Sequence, residues 1–565
     1  MREKRSPGAR VWGGLTVLVG LVAALLAFGV GSAFGSSIIY KCTGVQATDQ
    51  PALNTDINSY DLVRIQGTCV GNFLADTMNV TIQGQGPDPT LQGYDTTDPV
   101  LTVDGEDVAL VGIGVTGGRN DGTGANGAVD GGGGIYAHDA ELYLSNTRVT
   151  GNEATGVAGS GVGDEGGGVY LHHAFLYGDR SGISHNTATE AGGGIVAAYG
   201  SPVVLNNSTV SNNEAYGGIG GGISLDYSSS QDDAGDNPGI LFGTTVSGNY
   251  ADANPDAFGG GINVNHQFLI TLSSVISNNT AEQTNDDTSY GGGVFAKDSN
   301  TLLLATTCRR NAADYGGCVH NEGFPYSAVI DGGAPTLPST LTLPSSVLKL
   351  PKPITLPSSL VGKQLEFPGG LIVAGLDCER NVATYDGGCI NNDSYNVECT
   401  DHVQQPGSPN QPSECESITP AFVAASDIEH NQAGQNGGAI ANTSESGAFA
   451  ALEVAVETKI YSNTAGNGGG AVSDVVKDAG GAAEAEITDG SQLMFNRAPD
   501  GGAILLDGGG FGGAGAFVAL NGGTAVTRNT ATDDGGGVYL GSNNTTLIIS
   551  GATVSNNTPS GDDIS

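Results

Sequence analysis

A short pattern of apolar and polar positions recurs along most of the chain. In residues 524–540 it consists of an aliphatic residue, two polar residues, Asn, any residue, Ala, a polar loop, two or three Gly and a short apolar strand. Copies late in the chain are spaced by 32, 33 and 33 residues, from Asn431 to Asn463, Asn496 and Asn529. Self-similarity at such a period is typical of proteins in which one supersecondary unit stacks on the next. The Asn position is occupied by Asn152, Asn186, Asn213, Asn249, Asn279, Asn311, Asn381, Asn431, Asn463, Asn496, Asn529 and Asn557.

The repeat predicts an all-β fold and excludes a helical solenoid. Gly, Asn and β-branched residues recur in each copy, and these residues have poor helix propensity. After each Gly cluster the sequence alternates as a strand does, for example at residues 135–138 and 169–172. One strand per repeat can pair only with its copy one repeat away, which gives parallel strands about 4.8 Å apart. We therefore predict a parallel β-solenoid of about 14 coils, with the stacked Asn side chains forming a hydrogen-bonded ladder inside a turn.

Two copies of the repeat contain the tetrapeptide Gly-Gly-Ala-Ile, at residues 437–440 and 501–504, each after an Asn-x-Ala element. This combination resembles the repeats of the polymorphic outer-membrane proteins of chlamydiae. More broadly, residues 120–565 are similar to secreted bacterial right-handed parallel β-helix proteins of the pectate-lyase-like class. Most copies here have Val or Ile where the chlamydial repeat has Phe, and we expect no C-terminal barrel after the last copy. The resemblance implies a right-handed helix and a surface or secreted role, but no single activity.

Five segments are predicted along the chain. Residues 1–33 contain four basic residues, an apolar run at residues 11–30 and then small residues, which indicates an export signal. Because the run is long enough to span a bilayer, an uncleaved membrane anchor at residues 11–30 is the alternative. Residues 34–70 are predicted to form an N-terminal cap and residues 71–320 β-helix coils. Residues 321–372 are a Pro-rich insertion, and residues 373–565 return to coils, with a loop near residues 396–420.

The charge balance restricts the partners of this protein. The formal net charge is −39, from 59 acidic and 20 basic residues. Such a chain repels nucleic acid, anionic lipid headgroups and polyuronates unless a cation bridges them. We therefore expect a monomer with no nucleic-acid partner and with membrane contact only through the N-terminal segment. The export signal predicts a location outside the cell or on its surface. A polysaccharide or a cell-surface protein is the expected partner.

The eight cysteines are consistent with export, because an even number of cysteines in an oxidising compartment usually forms disulfides. Two repeat copies have Cys at the buried aliphatic position and again at the last Gly position, so pairing within each coil and pairing between the coils are both compatible with the strand spacing. Pairing within the coil is favoured because it does not depend on how the large insertion between the two copies is arranged. Zinc is a weaker competitor, since no Cys-x-x-Cys motif occurs. The predicted pairs are Cys42–Cys69, Cys308–Cys318, Cys378–Cys389 and Cys399–Cys415.

The outward positions of the strands after the Gly clusters show little catalytic chemistry as far as Lys297. The first outward column contains Tyr136, Tyr170, Val196, Ser224, Asn263 and Phe295, and the second contains His138, His172, Ala198, Asp226, Asn265 and Lys297. Neither column contains the adjacent carboxylates of a glycoside hydrolase, or an Arg beside Asp as a lyase would use. We therefore predict a binding, adhesion or structural role and assign no catalytic residue. A polysaccharide lyase or glycoside hydrolase on the same fold is the alternative.

Two candidate binding sites remain. Tyr136, His138, Tyr170 and His172 would lie on adjacent coils as an exposed patch that could bind a sugar or a metal, although cross-strand packing is the commoner role of such residues. Carboxylate pairs in the loops could hold calcium weakly between neighbouring coils, although solvated turn acids are the commoner case. These calcium candidates are Asp286, Asp287, Asp533 and Asp534. No other cofactor is predicted.

Overall fold

The computed structural model is a β-helix built from four long parallel sheets. It describes residues 35–94, 97–123, 131–156, 164–225, 238–253, 255–283, 288–323, 340–341, 354–355, 370–395, 418–445, 447–478, 480–509, 515–542, 544–559 and 563–565. One compact unit, Ser36–Pro325 with Gly369–Ser565, contains the β-helix. In the other unit, Met1–Gly35 with Tyr326–Pro368, the described strands are the antiparallel pair Thr340–Leu341 and Ile354–Thr355. The predicted export signal lies outside the described residues.

Each coil from the one that begins at Leu101 to the one that begins at Ile504 contributes one strand to each of the four sheets in turn. In one coil, Ile135–His138, Glu141–Ser145, Arg148–Thr150 and Glu153–Ala154 follow one another, and we number sheets 1 to 4 in this order. Each strand pairs in parallel with its counterparts in the adjacent coils, as in Tyr136 beside Tyr170. The fold is therefore a right-handed parallel β-helix, as predicted.

The four sheets contain between twelve and sixteen strands. Sheet 1 consists of Phe73–Ala75, Leu101–Asp104, Ile135–His138, Val169–His172, Ile195–Ala198, Ile223–Leu225, Ile262–Asn265, Val294–Lys297, Val319–Gly323, Ile390–Tyr395, Ile440–Glu445, Val472–Val476, Ile504–Asp507 and Val538–Leu540. Sheet 2 consists of Ser37–Lys41, Leu62–Gln66, Val80–Gly84, Val108–Val111, Glu141–Ser145, Phe175–Asp179, Val203–Asn206, Pro238–Phe242, Phe268–Leu272, Asn300–Leu304, Gly370–Ala374, Ile418–Ala424, Phe449–Ala455, Ala482–Ile487, Ala516–Asn521 and Thr545–Ser550.

Sheet 3 consists of Thr68–Val70, Thr90–Gln92, Gly114–Thr116, Arg148–Thr150, Gly182–Ser184, Thr209–Ser211, Thr245–Ser247, Val275–Ser277, Thr307–Arg309, Asp377–Glu379, Asp427–Glu429, Lys459–Tyr461, Gln492–Met494, Ala525–Thr527 and Thr553–Ser555. Sheet 4 consists of Arg119–Asn120, Glu153–Ala154, Thr187–Ala188, Glu214–Ala215, Tyr250–Ala253, Thr280–Gln283, Ala312–Ala313, Val382–Ala383, Gln432–Ala433, Thr464–Ala465, Arg497–Ala498 and Thr530–Ala531. A short parallel pair, Ala257–Phe258 with Ser289–Tyr290, follows sheet 4 in two coils.

The repeated Asn side chains form a continuous buried ladder at the turn between sheets 3 and 4. Asn279 shows the arrangement, because its Nδ2 donates to Asn311 Oδ1 in the next coil and to the Val246 carbonyl in the preceding coil, both at 3.0 Å. Its Oδ1 accepts from the backbone N and the Nδ2 of Asn249, at 3.1 and 2.9 Å. An amide both donates and accepts, so the same contacts can pass from coil to coil.

The Gly cluster forms the corner between sheets 4 and 1. Gly166 has a φ of +64°, a left-handed conformation that Gly adopts without steric cost. Gly168 packs so closely on the next coil that a Cβ atom there would lie 2.5 Å from the Gly194 carbonyl oxygen. Conformation and close packing together explain why Gly recurs before the strands of sheet 1.

A helix packs on the N-terminal end of the core. Helix α1, Gln46–Ile57, lies in the predicted cap between the first two strands of sheet 2 and fully buries Leu53 and Ile57. A disulfide, Cys42–Cys69, links this segment to sheet 3. Among the described residues, no helix combines the length and the apolar composition needed to cross a membrane.

The two disulfides of the repeat region lie within single coils, which confirms the favoured pairing. Cys308–Cys318 and Cys378–Cys389 have Cα atoms 6.0 and 6.4 Å apart. Cys308 and Cys378 are also register partners on adjacent strands, so strand spacing alone did not select between the two pairings. Cys399 and Cys415 lie outside the described residues, and their pairing stays a prediction.

Each insertion follows a strand of sheet 1 and precedes the strand of sheet 2 in the same coil. Val319–Gly323 precedes the first insertion and Gly370–Ala374 follows it, whereas Ile390–Tyr395 and Ile418–Ala424 flank the second. The strands of the β-helix therefore extend into both ends of the predicted 321–372 insertion and into the end of the predicted 396–420 loop. They do so because these residues keep their register with the adjacent coils.

A second polar ladder begins in the two coils that carry the insertions and continues through the next two coils. Asn321, Asn392, Asn442 and Asp474 occupy one buried column of sheet 1, and each Asn Nδ2 donates to the next side chain at 2.7–2.8 Å. Asp474 also accepts the backbone N–H of Phe517 at 3.1 Å. Burial raises the pKa of Asp474 to about 8, although the hydrogen bonds from Asn442 and Phe517 oppose this rise.

Candidate functional site

The structure brings the four predicted patch residues together on sheet 1 but buries the two tyrosines. Tyr136 and Tyr170 are register partners with stacked rings, 5.9 Å apart between centroids, and only 8% and 2% of their surface is exposed. Ala191 and Val196 of the following coil pack against them. The prediction that the two tyrosines are exposed is therefore wrong. Apolar side chains cover the rings that would have stacked on a sugar.

The histidines of the predicted patch remain partly exposed. The rings of His138 and His172 lie 5.0 Å apart between centroids, and His173 lies 4.8 Å from His172. Tyr199 stacks on His172 at 4.2 Å. The predicted patch thus consists of a buried tyrosine pair and an accessible histidine cluster.

The predicted calcium ligands fall in two different places. Asp286 and Asp287 lie outside the described residues. Asp533 and Asp534 are described, and the Asp534 N–H donates to Asp500 Oδ1 at 3.4 Å. Burial and the charges of Asp533 and Asp534 raise the pKa of Asp500, against the hydrogen bond from Asp534. No group of three possible metal-ligating side chains within the described ranges includes these acids, so calcium binding stays a prediction.

A charged cluster lies where the outward columns of sheet 1 continue beyond Lys297. The register places Lys297 beside Glu322, and Glu322 beside Asp393, on three successive strands. Phe295, His320 and Asn391 follow one another in the adjacent column. Side chains of these two columns, together with nearby charged side chains, form the central cluster, which consists of Lys297, His320, Glu322, Asp386, Asp393, Glu445 and Lys477.

Glu322 in the central cluster is a buried carboxylate that is held in its charged form. Lys297 Nζ donates to Glu322 Oε1 at 2.6 Å, and His320 Nε2 lies 3.8 Å from Glu322 Oε2. Asn391 Nδ2 lies 3.0 Å from His320 Nδ1, so Nδ1 accepts the amide hydrogen and the ring proton lies on Nε2, towards Glu322. Burial lowers the pKa of His320, which favours the neutral ring. Burial alone would raise the pKa of Glu322, but the neighbouring His320 and the Lys297 charge outweigh it and lower this pKa to about 2.

Asp393 has the opposite electrostatic environment. Its Oδ1 atom is enclosed and accepts no hydrogen bond from the described residues. Burial raises the pKa of Asp393 to about 7; the Lys477 charge opposes the rise, and the Glu445, Glu322 and Asp386 charges add to it. Lys477 Nζ lies 2.7 Å from Glu445 Oε1 and 3.8 Å from Asp386 Oδ2. Below neutral pH, Asp393 therefore holds a proton while Glu322, one strand away, does not.

A ladder of aromatic rings lies beside the central cluster. Phe258, Tyr290 and Tyr315 stack at 5.6 and 5.4 Å between centroids, and Tyr385 continues the row 5.2 Å from Tyr315. All four side chains are partly exposed. Lys477 Nζ lies 5.5 Å from the centre of the Tyr315 ring. Aromatic side chains beside a few charged groups are a common lining of sites that bind organic ligands.

Glu322 and Asp393 lie beyond Lys297 in the outward columns and were not predicted as site residues. The first insertion separates the two carboxyl groups by 71 residues, which hides their register in the period of the repeat. A local signal does exist. A Gly-Gly-Cys element begins residues 316–322, with sequence GGCVHNE, and residues 387–393, with sequence GGCINND. Aligning these elements places Glu322 opposite Asp393.

Comparisons with known proteins found two solved structures of low similarity. No protein-family model matches the chain, and no curated protein matches it. The crystal structure of an alginate lyase from a Paenibacillus species matches with a TM-score of 0.30 and 13% sequence identity, over 69% of this chain and 94% of that chain. The crystal structure of pectate lyase Pel9A matches with a TM-score of 0.27 and 13% identity, over 55% of this chain and 72% of that chain. The sheet topology of this chain is itself that of a parallel β-helix.

Proposed function

We propose that the protein hydrolyses a glycosidic bond of a neutral polysaccharide at the central cluster. The observation that carries this proposal is the pair of carboxyl groups on adjacent strands, Glu322 with a pKa of about 2 and Asp393 with a pKa of about 7. Glycoside hydrolysis uses one carboxyl group that donates a proton and one that is ionised. Environments that separate the pKa values of two carboxyl groups indicate which group takes which role.

Asp393 is the general acid in this proposal. It donates its proton to the leaving oxygen while the bond between that oxygen and the anomeric carbon breaks. Glu322 is the carboxylate that either accepts a proton from the attacking water or bonds to the anomeric carbon. His320 and Lys297 are positioning residues, because they contact Glu322 and keep it charged.

A neutral sugar polymer fits the surroundings of the central cluster. The aromatic ladder from Phe258 to Tyr385 offers partly exposed rings next to the two carboxyl groups. The formal net charge of −39 disfavours the approach of an acidic polymer. The disulfides and the predicted export signal support an extracellular or cell-surface location, where such a polymer would be met.

The test is release of reducing ends when the full-length protein is incubated with a panel of neutral polysaccharides. Asp393→Asn and Glu322→Gln should each lower the rate about 100-fold or more. Asp507→Asn is the matched control, because Asp507 lies in the same column of sheet 1, three coils further on, and should leave the rate unchanged. No release from any polymer, or full activity of Asp393→Asn, would overturn the proposal.

The pH profile tests the assignment of the acid separately. The general acid must be protonated, so the wild-type rate should fall as the pH rises through about 7. Glu322 stays ionised down to a pH of about 2, so no loss from its protonation is expected between pH 4 and 7. A rate that rises between pH 6 and 8 would contradict the role of Asp393.

Glycan binding without cleavage is the second candidate, and the aromatic ladder favours it. In that case the full-length protein should be retained on a neutral polysaccharide column without releasing reducing ends. Tyr290→Ala should then weaken retention, whereas Asp393→Asn should not. Tyr94→Ala is the control, since Tyr94 is 61% exposed and lies outside the ladder. Equal retention of the Tyr290 and Tyr94 variants would exclude the ladder as the binding surface.

A further inference from the structure

We propose that His138, His172, His173 and Asp139 bind a divalent transition-metal ion such as Zn²⁺ on the outer face of sheet 1. One nitrogen atom of each of the three histidines lies within 4.8 Å of the others. This histidine cluster has no part in the proposed glycoside hydrolysis. The inference is therefore independent of that function.

The repeat brings these four side chains together from two adjacent coils. His138 and His172 are register partners at the ends of their sheet 1 strands. The residues that follow them, Asp139 and His173, both adopt the left-handed conformation, with φ of 48° and 51°. The same turn geometry thus places an Asp and a His side chain one coil apart, beside the two histidines of the strands.

Asp139 lies between two of the imidazoles. Its Oδ2 is 3.6 Å from His138 Nε2, and its Oδ1 is 3.9 Å from His173 Nδ1. A metal ion at this point would replace direct contacts with bonds of about 2.0–2.2 Å to each donor atom. The side chains of His138, His173 and Asp139 are 35%, 36% and 61% exposed, so small rotations towards an ion meet little resistance.

A further carboxylate orients one of the histidines. Asp104 precedes His138 in the same column of sheet 1, and its Oδ1 lies 2.7 Å from His138 Nδ1. A carboxylate at Nδ1 keeps the proton on that nitrogen and leaves the lone pair of Nε2 for a metal. Tyr199 stacks on His172 with a ring angle of 14°, which restricts the plane of the second imidazole.

The donor set determines the class of ion. Three imidazoles and one carboxylate suit Zn²⁺ and neighbouring transition metals, whereas Ca²⁺ and Mg²⁺ prefer oxygen ligands throughout. The sulfur atoms of Cys318, Cys378 and Cys389 form the other close group among the described residues, but all three are bonded in disulfides. Of these two groups, the histidine cluster is the one whose donor atoms can bind an ion.

The test is calorimetric titration of Zn²⁺ into the untagged full-length protein after removal of metals by a chelator. We expect one site per chain, an affinity at least 10-fold lower for His173→Ala and for Asp139→Asn, and a 10- to 100-fold loss for Asp104→Asn. His266→Ala is the matched control, because His266 has the same position after its sheet 1 strand and a φ of 54°, but contacts Asp298 at 3.2 Å instead of other histidines.

Thermal melting without metal shows whether each variant folds. If His173→Ala does not fold, the more conservative Asp139→Asn variant still tests the site. Zn²⁺ should raise the melting temperature of the wild type and of His266→Ala but not of His173→Ala. Absence of Zn²⁺ binding, or equal Zn²⁺ affinity for the wild type, His173→Ala and Asp139→Asn, would overturn the proposal.

Discussion

At the scale of single residues, the repeated Asn satisfies backbone groups that the sheets leave unpaired at a turn. Asn279 Oδ1 accepts the N–H of Asn249, and its Nδ2 donates to the Val246 carbonyl. Ala has neither group, and an ionised Asp has no donor. Neither residue can therefore make both the donor and the acceptor contacts of an internal Asn. A carboxylate appears only beyond the last Asn of the ladder, where Asp563 Oδ1 accepts the Nδ2 of Asn557 at 2.9 Å.

Removing one internal Asn should therefore be costly. Asn279→Ala leaves the Asn249 N–H and the Val246 carbonyl buried without their partners, at about 1–3 kcal/mol each. We expect the free energy of unfolding to fall by about 2–5 kcal/mol in urea denaturation followed by circular dichroism. Asn521→Ala is the control, since Asn521 Nδ2 contacts Glu486 at the surface. Equal losses in the two variants would show that the ladder adds no special stability.

The buried carboxyl group of Asp474 should make stability depend on pH. Its pKa is raised to about 8 in the folded protein, so its contribution is complete below the unfolded value near 4 and is lost as the pH rises through 8. Asp474→Asn does not titrate. The wild type should therefore lose stability relative to this variant between pH 5 and 8, by up to about 1.4 kcal/mol per pH unit. Parallel melting curves of the two proteins across this range would contradict the burial of a protonated Asp474.

At the scale of elements, one carboxylate attaches helix α1 to the first coil. Asp49 accepts hydrogen bonds from the N–H groups of Thr43, Gly44 and Val70 and from the Tyr40 hydroxyl, at 2.8–3.1 Å. Burial alone would raise the pKa of Asp49, but these hydrogen bonds lower it overall. The helix therefore depends on an ionised side chain at the end of the β-helix where the core would otherwise be open.

Neutralising Asp49 should loosen the cap. A lowered pKa means that the stabilisation is present above the unfolded value near 4 and is lost as the pH falls through the folded value. Asp49→Asn should therefore speed hydrogen exchange of the amides of Leu53 and Ile57 at pH 7, by about 10-fold for a loss near 1.4 kcal/mol. Asp56→Asn, on the same helix, is the control. Equal exchange in wild type and Asp49→Asn would rule out this attachment.

Some features of the coils could be predicted from the sequence and others could not, for physical reasons. The Asn and Gly positions were found because a repeated turn imposes the same residue in every coil, as at Asn279 and Gly166. The burial of Tyr136 could not be found, because it depends on Ala191 and Val196 of later coils packing over the sheet. The central cluster was missed because the insertion after Gly323 breaks the period between coils that are adjacent in space.

At the scale of the whole molecule, the central cluster differs in charge from the rest of the chain. The formal net charge is −39, with only 20 basic residues. Two of these, Lys297 and Lys477, lie in the central cluster, and Asp393 there is uncharged below a pH of about 7. An acidic polymer would therefore be repelled at long range by the molecule as a whole, while the cluster itself repels it little. Neutral polymers do not experience this barrier.

Added salt should change the affinity for acidic polymers but not the affinity for neutral polymers. The Debye length is about 30 Å at 10 mM salt and about 8 Å at 150 mM, so added salt screens the long-range repulsion far more than contacts within the site. We expect the affinity for a neutral oligosaccharide to change little between these conditions, and that for a uronate oligomer of equal length to rise with salt. Lys477→Gln, which removes one cation of the cluster, should weaken uronate binding at both salt concentrations. A uronate affinity that falls with salt would show instead that local contacts with lysine govern recognition, and the preference for neutral polymers would then be wrong.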